Sequence, residues 1–423
     1  MSTRRSGLSV LSHIPEPAAR RIALRITPEA ERAVRRGHPW LFDQAICQQS
    51  REGRSGDLAV VFDTRRRFLA VGLYDPHSAI RVRILQHGRP AVIDQDWFRG
   101  RLAAAALRRA PLLQRPLEVA TTGYRLVHGE NDGLPGLVID RYEQTCVLKL
   151  YTAAWMPHLK DVLSALAAVC PVERLVLRLS QTLPEHTQDL FGLSDGTVLD
   201  GPELDGPVMF LENGLRFEAD PIRGQKTGFF LDQRDNRARV ERLAYGKTVL
   251  NVFAYTGGFG VYAARGGAAR ILSVDASLPA LQVTIRNLAW NRHIPNVAAA
   301  SHDILVGDAF EVLTRLRKDA RLFDMVIVDP PAFAKKREQE TQALSAYARL
   351  TRLSLGVLQS GGTLVQASCS SQVSAETFFE TVHRAAVQAR RPLRELERTA
   401  HALDHPIGFK EGAYLKCLFA LAP

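Results

Sequence analysis

From Thr248 onward, apolar runs of strand length alternate with stretches of helix length. TVLNVFAY at 248–255, RILSVDAS at 270–277, FDMVIVDPP at 323–331 and GGTLVQASCS at 361–370 read as strands, as does the tip of HDILVGDAF. GGFGVYAARGG, LPALQVTIRNLAWNR, AFEVLTRLRK, TQALSAYARLTRLSLGVLQ and AETFFETVHRAAVQA read as the helices between them, and two terminal strands are predicted near 393–400 and 413–421. Strands regularly interleaved with helices force a mostly parallel, doubly wound α/β sheet. Strands covered on both faces should be unbroken apolar runs, and VIV and VLNVF are.

The first 207 residues follow other patterns. RIALRI alternates like a strand, and TPEAERAVRRG reads as a short helix opened by Thr27-Pro28 and closed by Gly37. DLAVVFD (57–63), FLAVGLYD (68–75) and AIRVRIL (79–85) are short strands at barrel-like spacing. The segment 91–120 is predicted helical as far as Pro111, with Arg along one face. A hairpin over 134–151, a helix over 156–170 and a strand over 174–180 follow. These elements predict a flexible tail at 1–20, a small β-barrel at 21–90, a central α+β domain at 91–207 and the α/β domain at 208–423, which opens on a hairpin at 212–220.

Charge sorts the same way. Residues 1–120 hold 21 Arg, no Lys and 11 Asp plus Glu, a balance of +10 against +11 for the whole chain. Such asymmetry points to a polyanion-binding N-terminal module, and Arg, which forks onto phosphates and stacks on bases, suits RNA. No run of about 18 apolar residues marks a membrane helix, and the N-terminus lacks an apolar signal core, so a cytoplasmic protein is expected. The cysteines at 47, 146, 170, 369 and 417 are too scattered for a disulfide framework or a zinc site, and no metal is expected. A homodimer stays open, since the sequence carries no sign of oligomeric state.

Open α/β sheets bind ligands beyond the carboxyl ends of their strands. The first strand ends in Asn251, Phe253, Tyr255 and Gly257, a turn whose glycine lets backbone approach a ligand at a helix N-terminus. The second ends in Asp275, 18 residues after Gly257, where a carboxylate can bond ribose hydroxyls. After the third comes Asp308 with Phe310 close behind, a pair able to hold an adenine amine and cover its ring. The fourth ends in Asp329-Pro330-Pro331.

Together these strand ends resemble the Rossmann-like S-adenosylmethionine-dependent methyltransferases. In that superfamily, an Asp-Pro-Pro-aromatic motif implies methylation of a nucleobase or planar amide. Pro330, Pro331 and Phe333 would then bind substrate, the last by stacking. Cys369 follows Asp329 by 40 residues and would end the neighbouring strand. Pyrimidine C5 is a poor nucleophile, and a thiolate added at C6 turns the ring into an enamine that can accept a methyl group at C5. Cys369 and Asp329 are therefore the catalytic candidates, with Asp329 also at the cofactor.

NVFAYTGGFG, SVDAS, GDAF, DPPAF, SCSS and HPIGFKEGAYLK (405–416), matching in that order, and GQKTGFFLDQRDNR (224–237) just before them resemble the bacterial large-subunit (23S) ribosomal RNA cytosine-5 methyltransferase family, and GHPWLF at 37–42 resembles its N-terminal PUA domain. The resemblance implies a PUA-like barrel, a small central domain, a Rossmann-like methyltransferase domain, S-adenosyl-L-methionine as cofactor and RNA as partner. It also implies that the stretch containing Phe230 and Asp232 lines the methionine end of the cofactor. Many RNA cytosine-5 enzymes carry a second cysteine directly after the Asp-Pro pair, where this chain has Pro331. Two alternatives stay open: a nitrogen-directed rRNA base methyltransferase working through DPPAF, and a non-catalytic RNA-binding protein.

Overall fold

The computed structural model describes residues 11–183, 188–334 and 336–423. The chain divides into two compact units. One holds Met1–Gly214, Ala219–Leu231 and Leu403–Phe409; the other holds Leu215–Glu218, Asp232–Ala402 and Lys410–Pro423. Of the tail expected at 1–20, residues 1–10 lie outside the described residues. Leu11 is buried in the first unit's core, so the apolar end of that stretch is anchored rather than free.

The first unit opens on a six-stranded mixed sheet. Its strands are β1 (Ile22–Ile26), β2 (Trp40–Phe42), β3 (Ile46–Gln49), β4 (Leu58–Phe62), β5 (Phe68–Tyr74) and β6 (Ile80–His87), in the order β2-β6-β5-β4-β1-β3. The helix Pro28–Arg35 starts as its sequence demands, with the Thr27 side chain accepting from Ala30 N and Pro28 in the first turn. A second sheet contains β7 (Gly123–His128), β8 (Leu137–Tyr142), β9 (Thr145–Leu150), β10 (Arg174–Leu179) and β11 (Val198–Asp200). One buried cluster runs from Val71 and Leu85 of the first sheet to Leu148 and Trp155.

The helix expected to stop at Pro111 runs from Gln95 to Leu113. Proline removes the hydrogen bond to the carbonyl of Leu107, a residue on the solvent face, where water can replace it, and burial of Leu112 favours the extra turn. Nor do its arginines share one face. Arg108 is exposed, whereas Arg109 is fully buried. All five guanidinium donors of Arg109 are satisfied: two go to Asp132 (2.8 and 2.7 Å), and one each to the carbonyls of Ala105 (3.1 Å), Arg125 (2.9 Å) and Asp404 (2.8 Å). Part of the N-terminal arginine excess is thus structural. Arg109→Met is expected to destabilise the protein by about 3–5 kcal/mol because it removes the buried, two-pronged partner of Asp132 and leaves the carbonyls of Ala105, Arg125 and Asp404 without their guanidinium donor. Arg108→Met, on the exposed side of the same aspartate, should cost no more than about 1 kcal/mol. Urea denaturation of both variants checks this, and equal midpoints would refute the assignment.

Strands β12 (Val208–Glu212) and β13 (Leu215–Ala219) lead to the second unit's sheet. That sheet comprises β14 (Thr248–Val252), β15 (Arg270–Asp275), β16 (Ser301–Val306), β17 (Phe323–Val328), β18 (Leu358–Ser368), β19 (Arg394–Thr399) and β20 (Lys416–Ala422), in the order β16-β15-β14-β17-β18-β20-β19. The first five run parallel, while β20 is antiparallel to both β18 and β19. Strand order reverses between β14 and β17, which opens the crevice such sheets use for ligands. Val252, Val274, Val326 and Leu364 meet the helices in a single core.

Candidate active site

The first strand is three residues shorter than its apolar pattern predicts. It stops at Val252 because Phe253 and Tyr255 take left-handed backbone conformations, with φ of 60° and 48°. Gly257 follows at φ 78° and caps the helix Gly258–Arg265. A Cβ on Gly257 would lie 2.3 Å from Cγ2 of Thr284, so only glycine fits there. The turn is tied down from the next strand: Asp275 accepts from the backbone N–H of Tyr255 at 2.8 Å and from that of Ser277 at 2.9 Å. The Thr284 hydroxyl donates to the Tyr255 carbonyl at 3.0 Å.

Two features of this turn suit a ligand. Three left-handed residues within five positions fold the backbone into a tight turn at a helix N-terminus, a place that favours polar or anionic ligand atoms. Below them, the side-chain amide nitrogen of Asn251 is buried without a hydrogen-bond partner. A buried polar orphan of this kind fits a water or ligand atom in the crevice.

Asp308 has a structural task as well. One of its oxygens accepts from Phe310 N at 2.9 Å and Glu311 N at 3.1 Å, capping the helix Ala309–Lys318. The residue is exposed, and its second oxygen is left for another donor at the end of β16.

Asp329 directly follows β17, and Cys369 directly follows β18, the parallel neighbour. The structure brings them together. The Cys369 thiol donates to the carbonyl of Pro330 at 3.7 Å, and Gln233 donates to Asp329 at 2.8 Å. Pro330 is buried, Pro331 exposed and Cys369 half-buried. Phe333 packs against Tyr347 and Phe310, with ring centroids 5.1 and 6.4 Å away, so part of its ring belongs to the core.

The serines beside Cys369 fix its backbone. Ser368 donates to the Tyr347 phenol oxygen at 2.8 Å, and the Ser370 hydroxyl lies 2.9 Å from the same oxygen. Burial raises the Tyr347 pKa, and the nearby Cys369 and Asp329 push the same way, so this phenol stays neutral. The other cysteines lie elsewhere: Cys417 is fully buried in β20, Cys146 and Cys170 are buried in the first unit, and Cys47 is exposed there.

The segment 224–237 is divided between the units. In the first, the Thr227 hydroxyl donates to Asp140 at 2.6 Å and lies 3.0 Å from the Tyr142 hydroxyl, which accepts from Phe229 N at 3.2 Å. Phe230 lies there too, with the Lys226 ammonium 4.4 Å from its ring centroid. Asp232 is in the second unit, buried, and accepts from the Tyr414 hydroxyl at 2.9 Å. Gln233, Tyr414 and Lys416 escaped the sequence reading. Gln233 lies inside the quoted motif, and Lys416 is a lone charge in an otherwise apolar terminal strand, a visible irregularity. Among the described residues, no group of three or more His, Cys, Asp or Glu is arranged to hold a metal.

Residues 194–412 match the S-adenosylmethionine-dependent methyltransferase family, and residues 24–87 match a PUA-like domain. A ribosomal RNA large subunit methyltransferase of Deinococcus radiodurans is 47% identical over 407 residues, covering 96% of this chain and 98% of the relative. Ribosomal RNA large subunit methyltransferase I of Pseudoalteromonas translucida is 38% identical over 390 residues, covering 92% and 96%. Among solved structures, an S-adenosylmethionine-dependent methyltransferase from Streptococcus mutans superposes with a TM-score of 0.79 at 22% identity, covering 95% of this chain and all (100%) of that one. A methyltransferase solved with S-adenosylhomocysteine gives a TM-score of 0.80 at 23% identity, with 95% and 100% coverage.

Proposed function

The chain belongs to the S-adenosylmethionine-dependent methyltransferases that join a PUA-like domain to a Rossmann-like domain, and we propose that it methylates C5 of a cytosine in large-subunit (23S) ribosomal RNA through a covalent Cys369 adduct. The ribosomal substrate rests on the relatives' names, and a cytoplasmic location goes with it. No helix among the described residues is long and apolar enough to cross a membrane. The chemistry rests above all on one observation: the Cys369 thiol and the Asp329-Pro330 turn meet at the ends of adjacent strands, 3.7 Å apart at the Pro330 carbonyl.

Asn251, Phe253, Tyr255, Gly257, Asp275 and Asp308 would hold the cofactor at the ends of β14 to β16, with Phe230 and Asp232 assigned to its methionine end. When bound, S-adenosylmethionine supplies an electrophilic methyl group. The Cys369 thiolate adds to C6 of the target base, and the electron pair of the C5–C6 double bond becomes available at C5. After C5 is methylated, its proton passes to solvent water, the electron pair of the C5–H bond re-forms the C5–C6 double bond, and the C6–S bond breaks to restore the thiolate. Asp329 would hydrogen-bond the ring while the adduct exists, and Pro330, Pro331 and Phe333 would frame it. A stacked base cannot reach a half-buried thiol, so the target must be unpaired or flipped out. The exposed arginines of the first unit would grip phosphates and set register without reading sequence.

Nucleoside mass spectrometry of RNA incubated with enzyme and a labelled methyl donor tests this directly. Label is expected in 5-methylcytidine. Label in a methylated guanine or adenine would sink the C5 chemistry and shift attention to the DPPAF turn.

A further inference from the structure

Lys416 is a buried cation that the chemistry above does not use. It is 3% exposed at the start of β20 and pairs in register with Ser368 of β18. Its ammonium donates to the carbonyls of Ser370 (2.5 Å), Val373 (2.6 Å) and Tyr414 (3.2 Å). All three of its protons are therefore directed at neutral acceptors, one of them on the residue that follows Cys369. Among the described residues, no carboxylate pairs with it. A buried charge without a counter-ion is costly, and proteins keep one where it has a task.

We propose that Lys416 is a positioning residue whose ammonium stabilises the Cys369 thiolate and sets the pH range in which that sulphur is nucleophilic. The proposal rests on the reading of Cys369 as the nucleophile. Burial pushes the Lys416 pKa down to about 8, and the Cys369 sulphur is the group that pushes it back up. Coupling of this kind is mutual: a thiolate that favours the ammonium is itself favoured by it. Asp329 is an acid across the strand ends and opposes a second negative charge, and Tyr347 is neutral. The proton released by the thiol goes to solvent.

Iodoacetamide alkylation of full-length protein, followed at the Cys369 peptide by mass spectrometry from pH 6 to 10, tests the coupling, because only the thiolate reacts. Reading the peptide separates it from the exposed Cys47. Wild-type Cys369 is expected to titrate below the free-thiol value of about 8.5. Lys416→Met should raise that midpoint by about one unit, a roughly tenfold slower reaction at pH 7. Lys416→Gln keeps two donors for the carbonyls without the charge and should behave alike if the methionine variant does not fold. Lys416→Arg should restore the wild-type profile, which a purely structural clamp would not require. Coincident profiles for wild type and Lys416→Gln would overturn the proposal. The nucleophile reading fails separately, if Cys369→Ala methylates RNA at the wild-type rate.

Discussion

Cys369→Ala is expected to lower single-turnover methyl transfer on the order of 10³-fold or more while leaving cofactor affinity within about twofold of wild type. The asymmetry follows from where the parts sit. The thiol ends β18, whereas the turn tied to Asp275 belongs to β14 and β15, across β17. Removing a half-buried sulphur whose contact with the Pro330 carbonyl is a long, weak S–H bond should disturb that turn little. A loss of rate without a loss of binding would therefore report chemistry. RNA carrying 5-fluorocytosine makes the same point from the substrate side. Fluorine at C5 cannot depart as a proton does, so the adduct should persist as a covalent complex with wild-type enzyme and be absent with Cys369→Ala. Full activity in the alanine variant would return Cys369 to a structural role and leave the cofactor site standing.

Strand ends were the legible part of this site. Asp275, Asp329 and Cys369 each follow an apolar run that periodicity alone locates, and adjacency of β17 and β18 follows from the order of such sheets. Backbone handedness was not legible. Phe253 and Tyr255 look like strand residues yet take left-handed conformations, and the Tyr255 backbone is held there by Asp275 and Thr284, both distant in sequence. Burial of charge was equally hidden. Nothing local marks Arg109 off from Arg108, since the carbonyl of Asp404 that completes its shell comes from the far end of the chain. The lone charge of Lys416 is visible in its apolar strand, but its place is not: it reaches the Cys369 loop only because β20 returns antiparallel to β18, and a register between distant strands leaves no periodic trace.

Asp275→Ala is expected to weaken S-adenosylhomocysteine binding by about 10²-fold in isothermal titration, from two losses of similar size. The first is direct: a carboxylate at this strand end is placed to bond ribose hydroxyls, and a hydrogen bond to a charged group contributes about 1.5–3 kcal/mol. The second acts through the turn. Non-glycine residues in left-handed conformations cost about 1–2 kcal/mol each, and the tie from Asp275 to Tyr255 N–H helps hold two of them in place. Asp275→Asn retains one acceptor oxygen and should fall between, near tenfold. Asp308 supplies the contrast, because its capping bonds account for one oxygen only. Asparagine caps a helix about as well as aspartate. Asp308→Asn should therefore keep its stability, and any affinity it loses reports a ligand contact. Wild-type affinity in Asp275→Ala would mean that this carboxylate serves the turn alone, and the ribose would then need another acceptor in the crevice between β14 and β17.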